Sequence, residues 1–182
     1  MVDRLYTMRD ETYAKGLEDL IQYVKQHGDT KKMTMIEIGS YAGESTQMFS
    51  NEFETVISID PYINDYDPND ITCSYMKLEK VYDTFKEVVD RNNNIKHIRM
   101  TSDDAIESLI GMSVDFIYID GLHTYEQIKK DITNYLPLLK PNCLIGGHDY
   151  HVNWGGVVKG VNELLGEPDT TFSDTSWIKL IK

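Results

Sequence analysis

The sequence predicts a Rossmann-like α/β fold: a seven-stranded, mostly parallel sheet with helices on both faces and a C-terminal antiparallel hairpin. Short apolar runs alternate with helical patterns along the chain, and each run is followed by glycine or polar residues. The run at 114–119 is apolar except for Asp115, which is typical of a central parallel strand covered on both faces. Right-handed crossovers between such strands give a doubly wound sheet whose ligands bind at the carboxyl ends of its strands.

Length and charge limit the domain organisation and the partners. The chain has 182 residues, of which 41% are hydrophobic and 26% charged, so we expect a single globular domain over 1–182. The formal net charge of −12 disfavours nucleic acid and anionic membranes as partners. Cys73 and Cys143 form no metal-spaced pair, and without an apolar leader or span the expected location is cytoplasmic.

The individual segments follow from apolar periodicity and from capping signals. The N-terminal segment 1–29 should carry one helix, and 61–73 is expected to be an inserted loop. Pro137 and Pro141 should end the helix that a capping box starts at Thr124. The predicted helices are 10–27, 44–51, 76–89, 103–110, one from Thr124, and 157–165; the predicted strands are 33–38, 55–59, 95–100, 114–119, one from Cys143, and the hairpin 170–173 with 177–181.

The loop after the first strand predicts a nucleoside site for a cationic ligand. Gly39 and Gly43 allow a tight turn and close approach to a ligand. Tyr41 occupies the position at which a dinucleotide fingerprint has its second glycine, which argues against a pyrophosphate. Glu37 beside the turn argues the same way, since a carboxylate attracts a cation and repels a phosphate.

Two further strand ends complete this predicted site. Asp60 follows Gly39 by 21 residues and can accept hydrogen bonds from both ribose hydroxyls. Ser102 and Asp103 follow the third strand, where an adenine is expected, although Asp103 also suits a helix cap. The candidate cofactor-binding residues are Glu37, Gly39, Tyr41, Ser45, Asp60, Ser102, Asp103 and Asp120.

Residues 35–45, Met-Ile-Glu-Ile-Gly-Ser-Tyr-Ala-Gly-Glu-Ser, resemble motif I of class I methyltransferases that use S-adenosylmethionine. They are most similar to the catechol O-methyltransferase type, which also has a tyrosine in this loop and a serine two residues after its second glycine. The resemblance covers roughly 30–182. It implies methionine contacts from Gly39, Tyr41 and Ser45, ribose contacts from Asp60, and adenine contacts from Ser102 and Asp103.

The ends of the fourth and fifth strands predict a metal site. Asp120 ends one and His148-Asp149 the other, and adjacent parallel strands lie about 4.8 Å apart. Asp120, His148 and Asp149 are therefore the candidate ligands for a divalent metal such as Mg²⁺ or Mn²⁺. The arrangement resembles metal-dependent O-methyltransferases of the catechol and macrolide-sugar types, from which His148 departs because an acidic residue is usual there. The alternative is a hydrogen-bonded strand-end pair without a metal.

His123 is the candidate catalytic base. It follows Asp120 by three residues, a spacing also found in the macrolide-sugar enzymes, and a hydroxyl must lose its proton as it attacks a methyl group. The alternative is that His123 packs on Ile128 as the hydrophobic staple of its helix.

The expected function is metal-assisted O-methylation of a sugar, a glycan or a small molecule. Trp154 and Tyr62–Tyr66, together with His151 and Asn153, are candidate acceptor contacts. Two alternatives remain: an NAD-dependent oxidoreductase, disfavoured by Tyr41, and a non-catalytic nucleoside-binding module. The first helix and the terminal hairpin would suit a homo-oligomer interface.

Overall fold

A computed structural model describes residues 11–65 and 77–182, and it confirms the alternation of strands and helices. The predicted boundaries differ from the observed ones by a few residues, as element ends usually do. In these ranges the helices are α1 (Glu11–Lys25), α2 (Glu44–Ser50), α3 (Leu78–Arg91), α4 (Ser102–Leu109), α5 (Tyr125–Tyr135) and α6 (Gly155–Leu165). The strands are β1 (Thr34–Ile38), β2 (Thr55–Ile59), β3 (Ile95–Ile98), β4 (Val114–Ile119), β5 (Leu139–Gly147), β6 (Thr170–Thr171) and β7 (Trp177–Leu180).

All seven strands form one sheet, in the order β3-β2-β1-β4-β5-β7-β6. The first five strands are mutually parallel, and β7 runs antiparallel between β5 and β6. The chain moves outward from β1 to β3 and then returns to place β4 on the other side of β1. The order therefore reverses between β1 and β4, which is where a doubly wound sheet opens a ligand crevice.

Each face of the sheet is covered by its own apolar core. Alternate residues of β1 point to opposite faces, so that Met35 joins one core and Ile36 and Ile38 join the other. The first core packs α1, α2 and α3 against the sheet, and the second packs α4, α5 and α6. These helices hold the strands in place and leave the carboxyl edge of the parallel strands to the loops.

Some boundary predictions are wrong for identifiable reasons. Pro141 does not end a helix: α5 stops at Tyr135, a 3-10 turn at Leu136–Leu138 contains Pro137, and Pro141 already lies in β5. An irregularity in the pairing of β4 with β5 accommodates the proline, since Val114 pairs with Leu139 but Phe116 pairs with Leu144. The part of the predicted loop at 66–73, which includes Tyr66 and Cys73, lies outside the described residues.

The cap of α4 also differs from the prediction. Thr101 is the N-cap, and its hydroxyl accepts a hydrogen bond from the Asp104 backbone N–H at 3.1 Å. Asp103 therefore sits inside the first turn, where its negative charge is favourable near the helix N-terminus. Across 11–65 and 77–182, none of the helices combines the length and the apolar composition needed to cross a bilayer.

Helix α1 lies very close to the turn between β6 and β7. A Cβ atom at Gly16 would stand 2.4 Å from the Asp174 Cγ and 2.5 Å from its backbone nitrogen. Asp174 is fully buried and accepts hydrogen bonds from the Ser176 N–H at 3.1 Å and hydroxyl at 2.8 Å. Only glycine leaves room for this contact, which joins the first helix to the last strands.

We expect Gly16→Ala to lower the free energy of unfolding by about 1–3 kcal/mol, because the new methyl group must displace buried backbone. That corresponds to a fall in the unfolding midpoint of several degrees, measurable by calorimetry. Gly155→Ala is the matched control, since nothing lies within 4 Å of its Cβ position. Equal midpoints for the two variants would contradict the close packing of α1.

Candidate functional site

The loop from β1 to α2 approaches the end of β4 directly. Gly39 has φ +87°, and a Cβ there would lie 2.0 Å from the Asp120 carbonyl oxygen. The Asp120 N–H donates to the Ile38 carbonyl at 2.7 Å, so the two strand ends are joined by backbone. Any side chain at Gly39 would separate β1 from β4 at the point where the sheet reverses.

Asp60, at the end of β2, holds this loop through its carboxylate. Its Oδ2 accepts hydrogen bonds from the backbone N–H groups of Ser40 at 2.9 Å and Tyr41 at 3.0 Å, and its Oδ1 accepts from Tyr62 N–H at 2.9 Å. The Tyr62 hydroxyl in turn donates to the Tyr41 carbonyl at 2.7 Å. Burial raises the pKa of Asp60, and these three backbone hydrogen bonds oppose the rise.

Glu37 lies beneath the loop rather than in the opening. Its side chain is fully buried, and it accepts hydrogen bonds from the hydroxyls of Ser45 and Thr46, each at 2.5 Å. These bonds tie β1 to the first turn of α2. Glu37 is thus placed to support the loop and to add negative charge below it.

A cleft of about 370 Å³ runs along the carboxyl ends of the strands. Four carboxylates line it, and among the described residues no lysine or arginine does. Carboxylates thus outnumber basic side chains in the lining, which favours a cationic ligand. The four carboxylates belong to Glu44, Asp60, Asp120 and Asp149.

One end of the cleft is formed by α4 and α5. Gln127 and Ser102 line it, and the Ser102 hydroxyl donates to Asp131 Oδ1 at 2.6 Å. Asp131 is buried, its Oδ2 makes no hydrogen bond within the described chain, and burial raises its pKa to about 6. Asp103 is not among the lining residues; it pairs with Lys130 at 2.8 Å, which lowers the pKa of Asp103.

At the other end of the cleft, two aspartates and two histidines come together. One ligand atom from each of Asp120, His123 and Asp149 lies within 4.8 Å of the other two, so these three residues could hold a metal ion. His123 Nε2 is 2.8 Å from Asp149 Oδ2. His148 Nδ1 is 3.3 Å from Asp149 Oδ1 and 3.6 Å from Asp120 Oδ1.

The ionisation of Asp149 is set by its neighbours. Burial by itself would raise the pKa of this carboxyl, but hydrogen bonds and positive charge from His123 and His148 outweigh it and lower the pKa. The residue also has φ +60°, an uncommon backbone conformation for an aspartate. An ionised carboxylate is therefore held in a fixed orientation towards the two imidazoles.

Residues behind His148 extend this cluster. Its Nε2 lies 4.0 Å from Oδ2 of the buried Asp174, and its ring centroid is 6.0 Å from that of Tyr13 on α1. The contact between Gly16 and Asp174 thus positions a carboxylate on the far side of His148 from the cleft.

Of the predicted acceptor contacts, Trp154 and Asn153 lie near His123. The ring of Trp154 is 4.4 Å from the His123 ring, centroid to centroid. A second opening of about 520 Å³ is bounded by both residues, by Thr124–Glu126 and by Asn153–Gly156. Tyr62 lines the first cleft instead.

Most of the predicted site residues are brought to the cleft. Those in its lining are Gly39, Tyr41, Ser45, Asp60, Ser102, Asp120, His123, His148 and Asp149. Sequence reasoning missed Gln127 and Asp131, because a glutamine that matches a capping box and an aspartate at the next helical turn look like ordinary helix residues. The individual binding and catalytic roles of all these residues remain predictions.

A family model described as a methyltransferase domain matches residues 36–150. The chain belongs to this methyltransferase family. The match confirms the resemblance to class I S-adenosylmethionine-dependent methyltransferases, and it decides against the oxidoreductase alternative.

Similar proteins agree with this fold. An O-methyltransferase from Bacillus cereus, solved with S-adenosylhomocysteine, superposes with a TM-score of 0.66 at 16% identity, over 98% of this chain and 85% of that one. CalS11, a TDP-rhamnose 3'-O-methyltransferase, superposes with a TM-score of 0.64 at 13% identity, over 86% of this chain and 73% of that one. An uncharacterized protein y4gI of Sinorhizobium fredii is 34% identical over 59 residues, which span 32% of this chain and 6% of that relative.

We expect the stability of the methyltransferase to fall as pH rises from about 4 to about 6, through Asp131. The carboxyl holds its proton up to about pH 6 when folded but loses it near 3.8 when unfolded, so the folded state binds more protons in this window. The loss amounts to about 3 kcal/mol and is complete above the window. Thermal unfolding of Asp131→Asn, measured between pH 4 and 7, should not show this loss of stability.

The exposed Asp90 on α3 provides the control for this experiment. Asp90→Asn should keep the pH dependence of the wild type. An unchanged slope in Asp131→Asn would show that the buried carboxyl does not titrate in this range.

Proposed function

We propose that this methyltransferase transfers a methyl group from S-adenosylmethionine to a hydroxyl oxygen, with a divalent metal at the ends of β4 and β5. The observation that carries the proposal is the negative lining of the cleft described above. S-adenosylmethionine bears a sulfonium and an ammonium, which suit such a lining, whereas a pyrophosphate does not. The metal cluster adjoins this lining, so donor and reaction site share one cleft.

The donor would lie along the loop after β1. Asp60 uses three hydrogen bonds to hold that loop, and a carboxylate has about four acceptor positions. We therefore assign Asp60 two tasks: it shapes the loop, and its remaining lone pair accepts from a ribose hydroxyl. Tyr41, Gly39 and Ser45 would face the methionine part, with Glu37 supporting them from below.

The donor set at the reaction end fits a divalent cation. Two carboxylates supply hard oxygens, and the neighbouring imidazoles favour Mn²⁺ and similar ions over Mg²⁺. We propose Asp120, Asp149 and His123 as the ligands, because their ligand atoms converge. His148, predicted as a ligand from the sequence, would orient the two aspartates. When bound, the metal would lower the pKa of the acceptor hydroxyl.

An alternative role for His123, as general base instead of metal ligand, is favoured by its bond to Asp149. A histidine oriented by a carboxylate is the usual arrangement for a general base, and the 2.8 Å contact provides it. As base, His123 would take the hydroxyl proton as the oxygen attacks the methyl carbon. His123→Gln separates the roles, since loss of a ligand weakens metal binding and loss of a base lowers only kcat.

The acceptor is proposed to be a sugar, a glycan or a small hydroxylated molecule. Trp154 offers a ring face beside His123, and sugars and aromatic rings both pack on such faces. CalS11 acts on a sugar nucleotide and shares the fold, which agrees with this acceptor class. A cytoplasmic location, the absence of nucleic acid and membrane partners, and a homo-oligomer remain predictions from the sequence.

Asp60→Ala should weaken S-adenosylmethionine binding at least tenfold, because the loop loses three hydrogen bonds and the ribose loses its acceptor. Calorimetric titration of the variant against wild type measures this. Asp90→Ala, an exposed replacement on α3, should bind as wild type does. Equal affinity in all three proteins would remove Asp60 from the donor site.

Asp120→Ala and Asp149→Ala should each abolish Mn²⁺ binding and methyl transfer, because each removes a charged ligand. Calorimetry with Mn²⁺ gives the first result, and transfer of labelled methyl to a panel of catechols and sugar nucleotides gives the second. Full transfer in the presence of a chelator would rule out metal assistance.

A further inference from the structure

The side-chain amide of Gln127 takes no part in the capping motif at the start of α5. The Thr124 hydroxyl accepts a hydrogen bond from the Gln127 backbone N–H at 3.2 Å, as in a capping box. The glutamine amide, however, does not return to the N-cap. It turns towards Asp103, Asp131 and Ser102 at the end of the cleft formed by α4 and α5.

The surrounding acceptors fix which way the amide faces. Gln127 Nε2 lies 3.2 Å from Asp103 Oδ1, 3.0 Å from Asp131 Oδ1 and 3.1 Å from Ser102 Oγ. Asp103 is ionised through its pair with Lys130, so it can only accept. The Ser102 hydroxyl already donates to Asp131 and therefore accepts from the amide. A reversed amide would place its oxygen against two carboxylates, which is unfavourable.

This orientation leaves the amide oxygen for the cleft. Gln127 is 7% exposed and lines the cleft, and no group within 11–65 or 77–182 donates a hydrogen bond to its Oε1. This oxygen has no hydrogen-bond partner within those ranges, and yet it is not one of the fully buried unpaired atoms. It therefore keeps some solvent-accessible surface. A nearly buried side chain thus presents one unpaired acceptor to the ligand.

We propose that Gln127 selects the base of the methyl donor by accepting a hydrogen bond from the 6-amino group of adenine. Asp131 and Asp103 act as positioning residues, since they hold the amide with its oxygen towards the cleft. A 6-oxo base such as hypoxanthine would place a second acceptor against this oxygen and would be rejected. The inference rests on the proposed function, because it assumes that the cleft holds S-adenosylmethionine.

The experiment compares S-adenosylhomocysteine with S-inosylhomocysteine by calorimetry; in the second ligand a 6-oxo group replaces the 6-amino group and N1 carries a hydrogen. Leaving a buried acceptor unpaired costs enough to expect wild type to prefer the adenosine form about tenfold or more. In Gln127→Met, which keeps the length of the side chain without the amide, this preference should fall about tenfold.

Gln47→Met is the matched control, because the Gln47 amide bonds only with Ser50, Asn51 and Asn92 among the described residues, and Gln47 lies outside the cleft lining. It should keep the wild-type preference. Gln127→Ala provides a second removal of the amide, and thermal unfolding checks that each variant is folded.

The outcomes separate this inference from the proposed function. An unchanged preference in folded Gln127→Met that still binds S-adenosylhomocysteine would overturn the role of Gln127 alone. Failure of wild type to bind S-adenosylhomocysteine would overturn the donor site and this inference together. A general loss of affinity for both ligands, with the preference kept, would show that Gln127 is structural and would also overturn it.

Discussion

The backbone contact between Gly39 and Asp120 is the constraint on which the whole site depends. It lies where the sheet order reverses, between β1 and β4, and no side chain fits between the two backbone segments. Because the contact is made of backbone, it places the β1–α2 loop and Asp120 at a fixed separation. The proposed donor site and the candidate metal site share one cleft because these two strand ends touch.

Charge in the cleft is handled differently at its two ends. Beside the candidate metal ligands, Asp149 faces His123 and His148, and their attraction keeps the carboxylate ionised in spite of burial. At the end formed by α4 and α5, Asp131 is surrounded by hydroxyl and amide groups that cannot offset its burial, so its pKa rises to about 6. The same residue type is therefore held ionised in one place, whereas in the other it takes up a proton at about pH 6.

The fold and the location of the cleft could be predicted from the sequence, because both depend on local signals. Apolar periodicity identified the strands; Gly39, Asp60 and Asp120 each follow one directly, and Asp149 follows β5 after His148. The position of Pro141 was not predictable in this way, since the irregular pairing of β4 and β5 that accommodates it is a tertiary feature. Gln127 and Asp131 acquire their importance only through packing of α5 on α4.

Helix α5 begins just after His123 and carries Gln127 in its first turn and Asp131 one turn further on. From Tyr125 to Asp131 it spans about 9 Å. A helix is stiff over such a distance, so under the proposed function a tilt that accommodates a base beside Gln127 would also move the His123 segment. Residues on the inner side of α5 would then have to satisfy donor geometry and acceptor geometry at once, which would leave them fewer acceptable substitutions than the loops on either side.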